Sequence, residues 1–476
     1  MSVFFNEPNA MVFNMAFETF VMNVLRDYLA NQNKTITPSV EKNLFDALLP
    51  DGIDDLPGPI HLEVKYSFAN KSEYFKSVEK FAQNACDAKM GAILFILGVN
   101  FTNISKQSLQ RMAEIKSKRK VYVWDINDFD EKTMSFQSKY EGYMQSPTKT
   151  IVDAAINNQS SVEDVFASRS ALLALLKKKY ENEELVLFLG AGVSIDAGIP
   201  LWKDLINSLL SEMIIKRTKD VENTTFAENL TELIDLAYKN QDDSLISQMR
   251  YIRGAFDTNE YNHLVHDVLY KNNPKTDTDL LNALAEICTP KRNHIGVQGV
   301  VTYNFDDLFE RKMKHRKVET NIISRDSDTT VPNKLSVFHV HGYMPKKNTS
   351  FSPDSELIFS EEDYHRIYRD AYAWSNIVQL NYLRESTGLF IGCSLTDPNL
   401  RRLLDVATRQ NEKPRHFAFL RRNPIGSEGN IDPSVISFYE SVDLSLREKY
   451  YASMGLNIIW IDKYEEITRI LRNLLS

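Results

Sequence analysis

The fold is decided by the stretch Leu185-Val186-Leu187-Phe188-Leu189-Gly190-Ala191-Gly192-Val193-Ser194. Five consecutive apolar residues predict a buried strand of a parallel sheet. A Gly-Ala-Gly turn follows the strand, and Ser194 stands where a helix could begin. This order is typical of dinucleotide sites, because glycines admit a pyrophosphate to the backbone and the N–H groups at a helix start attract the anion. The alternative is a tight strand–helix turn that binds nothing.

The composition is that of a globular protein with two or three domains. The chain has 476 residues, 43% of them hydrophobic and 25% charged, and a net charge of −8. No overall basic character indicates nucleic-acid binding. Cys86, Cys288 and Cys393 lie too far apart in sequence for a disulfide framework or a four-cysteine zinc site, so we expect a reducing, cytoplasmic compartment. The apolar run Gly91–Gly98 is only strand-sized, so no membrane partner is expected.

We expect one domain over residues 1–150 and a second over residues 165–476. The stretch from Gln145 to Ser161 separates them, because it is rich in Pro, Ser, Thr and Asn and has little periodicity. Residues from about 216 to 295 have helical spacing, with Leu236 and Ala237 among the apolar positions, and we interpret them as a helical insertion.

The first domain has an acid and a lysine on one strand face. Residues 60–66 alternate like a strand, so Glu63 and Lys65 project together. Asp54, in the preceding turn, would add a second carboxylate, and Asp54 and Glu63 could hold Mg²⁺ during phosphodiester hydrolysis. The alternative is an ordinary solvated strand face.

These residues resemble the restriction-endonuclease-like PD-(D/E)xK family, most closely its Mrr-like branch. The matching pieces are Glu18 on a first helix, Asp54 in Gly52-Ile53-Asp54, Glu63-Val64-Lys65, Gln83 on a second helix, and the strands 92–97 and 121–124. Asp51 and Asp55 compete with Asp54 for the metal. The resemblance implies a nuclease-like α/β domain that acts on DNA with Mg²⁺, or an inactive module retained for binding or assembly.

In the second domain, polar residues follow several apolar strands. Asn304 and Asp306 come after Gly299–Thr302, and His341 comes after a short strand that also carries His339. Ligands in open α/β sheets sit outside the carboxyl ends of the strands, so these residues point to a site.

Together these pieces resemble the sirtuin family, in its diverged NAD-hydrolysing prokaryotic branch. The matching motifs are Gly190-Ala191-Gly192-Val193-Ser194, Gly198-Ile199-Pro200, Thr302-Tyr303-Asn304-Phe305-Asp306, His341-Gly342 and Gly392-Cys393-Ser394-Leu395. The resemblance implies a sirtuin-like Rossmann-type parallel sheet with a helical insertion, preceded by the smaller nuclease-like α/β domain.

The resemblance also implies a role for each motif residue. Asn304 would orient the nicotinamide ribose and a water, and Asp306 would accept from the nicotinamide carboxamide. His341 would act as a general base, since an imidazole titrates near working pH. His339 is interpreted as structural. The residues implied to bind NAD are Gly190, Ala191, Gly192, Ser194, Pro200, Trp202, Gly392 and Ser394, of which Trp202 could equally be core.

Two departures favour hydrolysis over protein deacetylation. The sequence has no cysteine between His341 and Cys393, so the four-cysteine zinc module of deacetylating sirtuins is not expected. Leu201-Trp202-Lys203 also replaces their usual Asp-Phe-Arg. We therefore expect NAD and water to give ADP-ribose and nicotinamide.

Three hypotheses follow for the whole chain. It resembles NAD-hydrolysing anti-phage proteins that act with a HerA-type hexameric ATPase, which implies a homo-oligomer that is quiet until infection. Alternatively, the first domain is an Mg²⁺-dependent nuclease and the second senses NAD or ADP-ribose. In the third hypothesis, neither site turns over and the chain is an assembly subunit.

Overall fold

The computed structural model describes most of the chain. The described residues are 10–39, 45–66, 71–85, 91–140, 142–157, 162–217, 229–230, 232–234, 245–347, 357–370, 372–409, 413–424 and 432–475. The chain divides into two compact units. The first contains Met1–Leu175, Asp405–Arg415 and Arg422–Trp460, and the second contains Leu176–Leu404, His416–Arg421 and Ile461–Ser476.

Helices and strands alternate along much of the chain. The helices are α1 (Ala10–Ala30), α2 (Lys71–Ala85), α3 (Asn103–Ser117), α4 (Ile126–Gln137), α5 (Pro147–Asn157), α6 (Val162–Glu181), α7 (Trp202–Arg217), α8 (Leu245–Gly254), α9 (Thr258–Tyr270), α10 (Asp279–Cys288), α11 (Leu308–His315), α12 (Glu361–Arg369), α13 (Trp374–Glu385), α14 (Pro398–Thr408), α15 (Pro433–Ser453) and α16 (Glu465–Asn473). The strands are β1 (Thr37–Pro38), β2 (Ala47–Leu49), β3 (Ile60–Lys65), β4 (Ala92–Leu97), β5 (Val121–Asp125), β6 (Leu185–Leu189), β7 (Gly299–Thr302), β8 (Thr320–Ile323), β9 (Leu335–His339), β10 (Thr387–Ile391), β11 (His416–Arg421) and β12 (Leu456–Ile461).

The first unit is built on a five-stranded sheet in the order β1-β2-β3-β4-β5. β1, β2 and β3 pair antiparallel, whereas β3, β4 and β5 pair in parallel. Apolar side chains of alternate positions fill both faces of this sheet. Leu62, Val64 and Ile96 pack with residues of α1 and α4, and Ile93 and Phe95 pack with residues of α2 and α3. The sheet is therefore buried on both sides, as its parallel strands require.

One segment differs from the sequence analysis. Residues 145–161 are predicted as a connection, but residues 147–157 form α5, which buries Ile151 and Ala155. Ile151 packs against Met11 and Met15 of α1, so this helix belongs to the core of the first unit. The composition of α5 is mostly polar, and its apolar stripe has only a few residues. Packing of this stripe in the protein is enough to stabilise the helix.

The second unit is built on parallel strands in the order β11-β10-β6-β7-β9-β8. Every pairing within this order is parallel. β6 is buried along its whole length, as its run of five apolar residues predicts. The predicted α/β class with a Rossmann-type parallel sheet is therefore confirmed. The strands that follow β6 in sequence lie first on one side of it (β7 to β9) and then on the other (β10 and β11). The order therefore switches between β6 and β10, and ligands bind at such switch points in open α/β sheets.

Helices α8, α9 and α10 lie within the region interpreted as a helical insertion. α10 buries seven of its residues and contacts α11 and α16. Leu236 and Ala237 lie outside the described residues.

The two compact units differ from the predicted domains in their boundaries. Residues 165–175, 405–415 and 422–460 group with the first unit, whereas the sequence analysis expects all of residues 165–476 in the second domain. Across the described ranges, no helix is both long enough and apolar enough to span a bilayer.

Candidate active site

The candidate site residues of the second unit follow four adjacent strands. Leu189 of β6 is paired with Ile391 of β10 and with Thr302 of β7, and Thr302 is paired with His339 of β9. Gly190 and Gly392 therefore come one residue beyond paired strand ends. Asn304 and His341 both come two residues beyond the Thr302–His339 pair. The motifs scattered over 200 residues of sequence thus meet at one edge of the sheet.

The two glycine motifs pack directly against each other. The Gly192 N–H donates to the Gly392 carbonyl oxygen at 3.0 Å. A Cβ on Gly192 would lie 2.7 Å from the Gly392 Cα, and Gly392 itself has a φ of +68°. Both positions therefore require glycine for this close approach alone. In this conformation the Gly192 N–H is used within the protein, so a pyrophosphate would reach it only if the two loops separated.

No helix begins at Ser194, in contrast to the sequence expectation. Residues 191–193 form one turn of 3-10 helix that ends at Ser194, and the next helix starts at Trp202. Ser194 is instead buried beside Asn304, whose Nδ2 donates to the Ser194 Oγ at 3.2 Å. Its role is therefore to anchor a side chain of the site and not to open a helix.

Asn304 and Asp306 line a small cavity at the carboxyl end of β7. The Asn304 Oδ1 is buried and has no hydrogen-bond partner among the described residues. A buried acceptor without a partner is costly, so this oxygen is suited to receive a donor from a bound molecule. The cavity is lined by Leu189, Val193, Ser194, Leu281, Thr302, Asn304, Asp306, Phe309, Glu310, Val337 and His339.

Burial raises the pKa of Asp306 to about 6. Hydrogen bonds from the Leu308 N–H, at 3.1 Å, and from Ser194 oppose this rise, and the charge of Glu310 adds to it. Because its pKa lies close to neutral pH, the Asp306 carboxyl can exist in either protonation state under ordinary conditions.

His341 is buried beneath two tyrosine rings and beside one carboxylate. Its Nε2 has no hydrogen-bond partner within the described part of the chain and lies 3.7 Å from Asp397 Oδ2. Tyr303 and Tyr364 contact the imidazole edge to face, with centroid distances of 5.0 and 5.9 Å. Burial lowers the pKa of His341 despite the opposing charge of Asp397. The imidazole is therefore neutral at pH 7 and able to accept a proton.

Sequence reasoning missed Asp397 and Tyr364. The Tyr364 O–H donates to Asp397 Oδ2 at 2.6 Å, so the two form one polar group beside His341. Asp397 comes six residues after the end of β10, at the same sheet edge as the other site residues. Its position after a strand could have identified it, but its place before Pro398 also suits a simple helix start.

His339 has the structural role that the sequence analysis gives it. It is 1% exposed, its Nε2 pairs with Glu310 Oε1 at 2.7 Å, and its Nδ1 lies 3.0 Å from the Asn304 carbonyl oxygen. Burial lowers the pKa of His339, but the charge and hydrogen bond of Glu310 outweigh burial and raise it overall. His339 thus holds the backbone of Asn304 in place.

The remaining candidate residues of this unit are half-buried or exposed. Ser394 is exposed, and its Oγ is 2.6 Å from the Thr396 Oγ1. Pro200 and Ala191 are half-buried. Trp202 is half-buried, and its ring packs edge to face on Phe359 with a centroid distance of 4.3 Å.

In the first unit, Glu63 and Lys65 lie on one face of β3 and form an ion pair of 3.1 Å. They are 0% and 4% exposed, so the alternative of a solvated strand face is wrong. The second carboxylate beside them is Asp46, whose Oδ2 accepts from the Val64 N–H at 2.7 Å. Lys413 contacts both acids, at 2.8 Å from Glu63 Oε1 and 3.1 Å from Asp46 Oδ1.

Asp54 lies in a different environment from the one that the sequence analysis expects. Its carboxylate accepts from Tyr28, from Gln32 at 2.9 Å and from Lys132 at 3.0 Å. Asp46 was missed because it precedes the three-residue strand β2, whereas the conspicuous Asp51-Gly52-Ile53-Asp54-Asp55 turn follows that strand.

Throughout the described segments, no group of three or more His, Cys, Asp or Glu side chains is arranged to hold a metal ion. In the first unit, the two acids beside Lys65 are the residues whose chemistry fits a divalent cation.

Comparison with known proteins identifies relatives of this chain. The chain is 25% identical over 323 residues to the NAD(+) hydrolase ThsA of Enterococcus faecium, covering 64% of this chain and 58% of that protein. It is 24% identical to the NAD(+) hydrolase ThsA of Acinetobacter baumannii, covering 62% and 54%. It is 23% identical to the protein of the same name from Bacillus cereus, covering 62% and 55%.

The chain thus spans little more than half the length of these curated relatives. A family model covers the part of the sequence that holds Asn304, Asp306, His341, Gly392 and Ser394. Residues 298–446 match the model of the SIR2-like domain.

Proposed function

We propose that this protein hydrolyses NAD to ADP-ribose and nicotinamide. One observation carries the proposal: Asn304 and His341 extend in matched register from neighbouring strands, and each presents a buried polar atom that no described residue satisfies. An amide oxygen and a neutral imidazole nitrogen can together orient and deprotonate a water or a ribose hydroxyl. The similarity to proteins named NAD(+) hydrolase supports NAD as the molecule that fills this edge of the sheet.

The reaction breaks the glycosidic C–N bond of NAD and forms a C–O bond from water to the ribose carbon. Nicotinamide leaves with the electron pair of the broken bond, and the proton lost by water passes to a base. His341 Nε2 is the base, and Asp397 stabilises the imidazolium that results. Asn304 holds the water or the ribose. Asp306, when ionised, accepts a hydrogen bond from the carboxamide of nicotinamide.

Nicotinamide release from purified protein tests this proposal. Wild-type protein should release nicotinamide and ADP-ribose in equal amounts, and Asn304→Ala should lose the activity by about 100-fold or more. Equal rates for the wild type and this variant would contradict the proposal.

We further propose that this activity serves anti-phage defence and is switched on in a homo-oligomer with a HerA-type ATPase. The chain carries nuclease-like and sirtuin-like motifs together, and its resemblance to defence proteins that act with such an ATPase supports this proposal. Mixing the purified protein with a HerA-type ATPase should give a single large complex by light scattering and should raise nicotinamide release. Separate elution, or unchanged release in the complex, would contradict this role of the ATPase.

A second candidate activity is an Mg²⁺-dependent nuclease in the first unit. Its support is the buried set of Asp46, Glu63 and Lys65 on a mixed sheet, with the order of elements that the nuclease-like resemblance implies. Plasmid cleavage that requires Mg²⁺ and is lost in Glu63→Ala would support it. Intact plasmid at high Mg²⁺ would instead favour a binding or assembly role for this unit.

A further inference from the structure

The acids of the first unit surround an ammonium group that comes from a distant part of the chain. Lys413 Nζ lies 2.8 and 3.1 Å from the two oxygens of Glu63 and 3.1 Å from Asp46 Oδ1. More than 340 residues of sequence separate it from both acids. Asp405–Arg415 nevertheless belongs to the same compact unit as β2 and β3, so this contact is internal to the first unit.

Asp46 and Glu63 together have the features of a site for a cation. The side chains of Asp46 and Glu63 are 4% and 1% exposed, so neither carboxylate has enough water to support its charge alone. Both oxygens of Glu63 and Oδ1 of Asp46 converge on one point, whereas Asp46 Oδ2 accepts from the Val64 N–H. Converging carboxylate oxygens are the ligands that divalent cations such as Mg²⁺ and Mn²⁺ take in proteins. In this structure the ammonium of Lys413 is at that point.

Lys413 is the more exposed of the two lysines beside these acids. Its side chain is 25% exposed, whereas Lys65, on β3, is 5% exposed and fixed beside Glu63. Lys413 thus supplies the positive charge that a metal would otherwise supply.

We propose that Asp46 and Glu63 form a divalent-cation site that Lys413 occupies, so that Lys413 and a metal ion exclude each other. With Lys413 in place, the first unit holds no divalent metal between these acids. Withdrawal of the Lys413 side chain would open the site to the metal. The inference concerns the first unit alone and does not depend on NAD hydrolysis in the second.

Direct Mn²⁺ binding tests this proposal. Mn²⁺ is titrated into the full-length protein, and the free ion is measured by its electron paramagnetic resonance signal. Lys413→Ala and Lys413→Met should each bind one Mn²⁺ per chain at least about tenfold more tightly than wild type, and Lys413→Ala/Glu63→Gln should lose this binding. Wild-type binding as tight as that of the single variants would overturn the proposal, and so would folded single variants that bind no Mn²⁺.

Lys132→Ala is the matched control. It removes an ammonium that contacts Asp54 at 3.0 Å in the same unit, so it exposes a carboxylate without creating the converging pair. Mn²⁺ binding gained equally by Lys132→Ala would overturn the proposal in favour of non-specific binding to an unpaired acid.

Thermal unfolding covers the case in which the Lys413 variants fold poorly. A metal that replaces the missing ammonium should raise the unfolding temperature of Lys413→Ala by about 5 °C or more at millimolar Mn²⁺, and should leave wild type unchanged. Absence of any rise in the variant would overturn the proposal.

Discussion

His341 Nε2 lies 3.7 Å from Asp397 Oδ2 without a hydrogen bond, whereas His339 Nε2 is bound to Glu310 at 2.7 Å. The two imidazoles are two residues apart in sequence and both are buried. The Nε2 of His339 is therefore held by Glu310, whereas the Nε2 of His341 stays available to a bound molecule. This difference supports the proposed chemical role of His341 and a structural role for His339.

Substitution of the two histidines should separate these roles. His341→Ala should lower nicotinamide release by about 100-fold to 10,000-fold with little loss of stability, because a general base is removed. His339→Ala should destabilise the protein by about 3–5 kcal/mol, because Glu310 is left buried and unpaired. Kinetic assay and urea unfolding of both variants measure the difference. Equal loss of stability in both would contradict the assignment.

The pH dependence of hydrolysis should reflect Asp306. If the ionised carboxylate is required, activity should fall as the pH drops through about 6, the pKa to which burial raises this group. Because the folded protein holds this proton more tightly than the unfolded chain, Asp306 should add stability as the pH falls from 6 toward 4.

Asp306→Asn should remove that gain in stability on acidification and should lower activity at pH 7.5. The measurements are thermal unfolding and nicotinamide release between pH 4.5 and 8. An activity profile of the wild type that is flat across pH 6 would contradict the role of the carboxylate.

The contact of the two glycine motifs predicts a steric effect. Gly192→Ala places a Cβ 2.7 Å from Gly392 Cα and should cost about 1–3 kcal/mol, because backbone must move to relieve the overlap. Gly254→Ala is the control, since a Cβ there meets nothing within 4 Å. Chemical unfolding of both variants measures the cost. A Gly192→Ala protein as stable as the control would show that the loops are not packed in this way.

Loss of Lys413 should have a pH-dependent effect on stability. Lys413→Ala leaves Glu63 and Asp46 buried without their cation, at a cost of about 3–5 kcal/mol near pH 8 without metal. Burial already raises the pKa of Glu63, and removal of the ammonium should raise it further. The folded variant would then take up a proton that the unfolded chain does not hold.

The destabilisation should therefore shrink as the pH falls toward 5. Lys132→Ala, which breaks a partly exposed pair, should cost less than about 1 kcal/mol at either pH. Urea unfolding at pH 8 and pH 5 gives the comparison. A cost for Lys413→Ala that grows on acidification would contradict the ionised state of Glu63.

The sequence analysis predicted the elements whose signals lie in a short stretch of sequence. The apolar run of β6 and the residues that follow β7 and β9 could be placed at one sheet edge, because the carboxyl ends of parallel strands meet there. Asp397 and Tyr364 come together only in three dimensions, and although Asp397 follows a strand, its place before Pro398 also suits an ordinary helix start.

Long-range pairing explains the other errors. Lys413 reaches Glu63 across most of the chain, and no spacing rule connects them. Asp46 directly precedes a strand of three residues, which is too short to show alternation, so the sequence analysis gave the metal role to Asp54 in the acidic turn instead. Helix α5 was missed because its stability comes from packing on α1 and not from its composition.

The central claim is that Asn304 and His341 act together on NAD. The most direct measurement is nicotinamide and ADP-ribose release from NAD by the wild type, Asn304→Ala and His341→Ala, each assayed alone and with a HerA-type ATPase. We expect equimolar release by the wild type in at least one condition and loss of at least about 100-fold in both variants, which should remain folded. Release that persists in either folded variant, or a wild type that leaves NAD intact in both conditions, would contradict the claim.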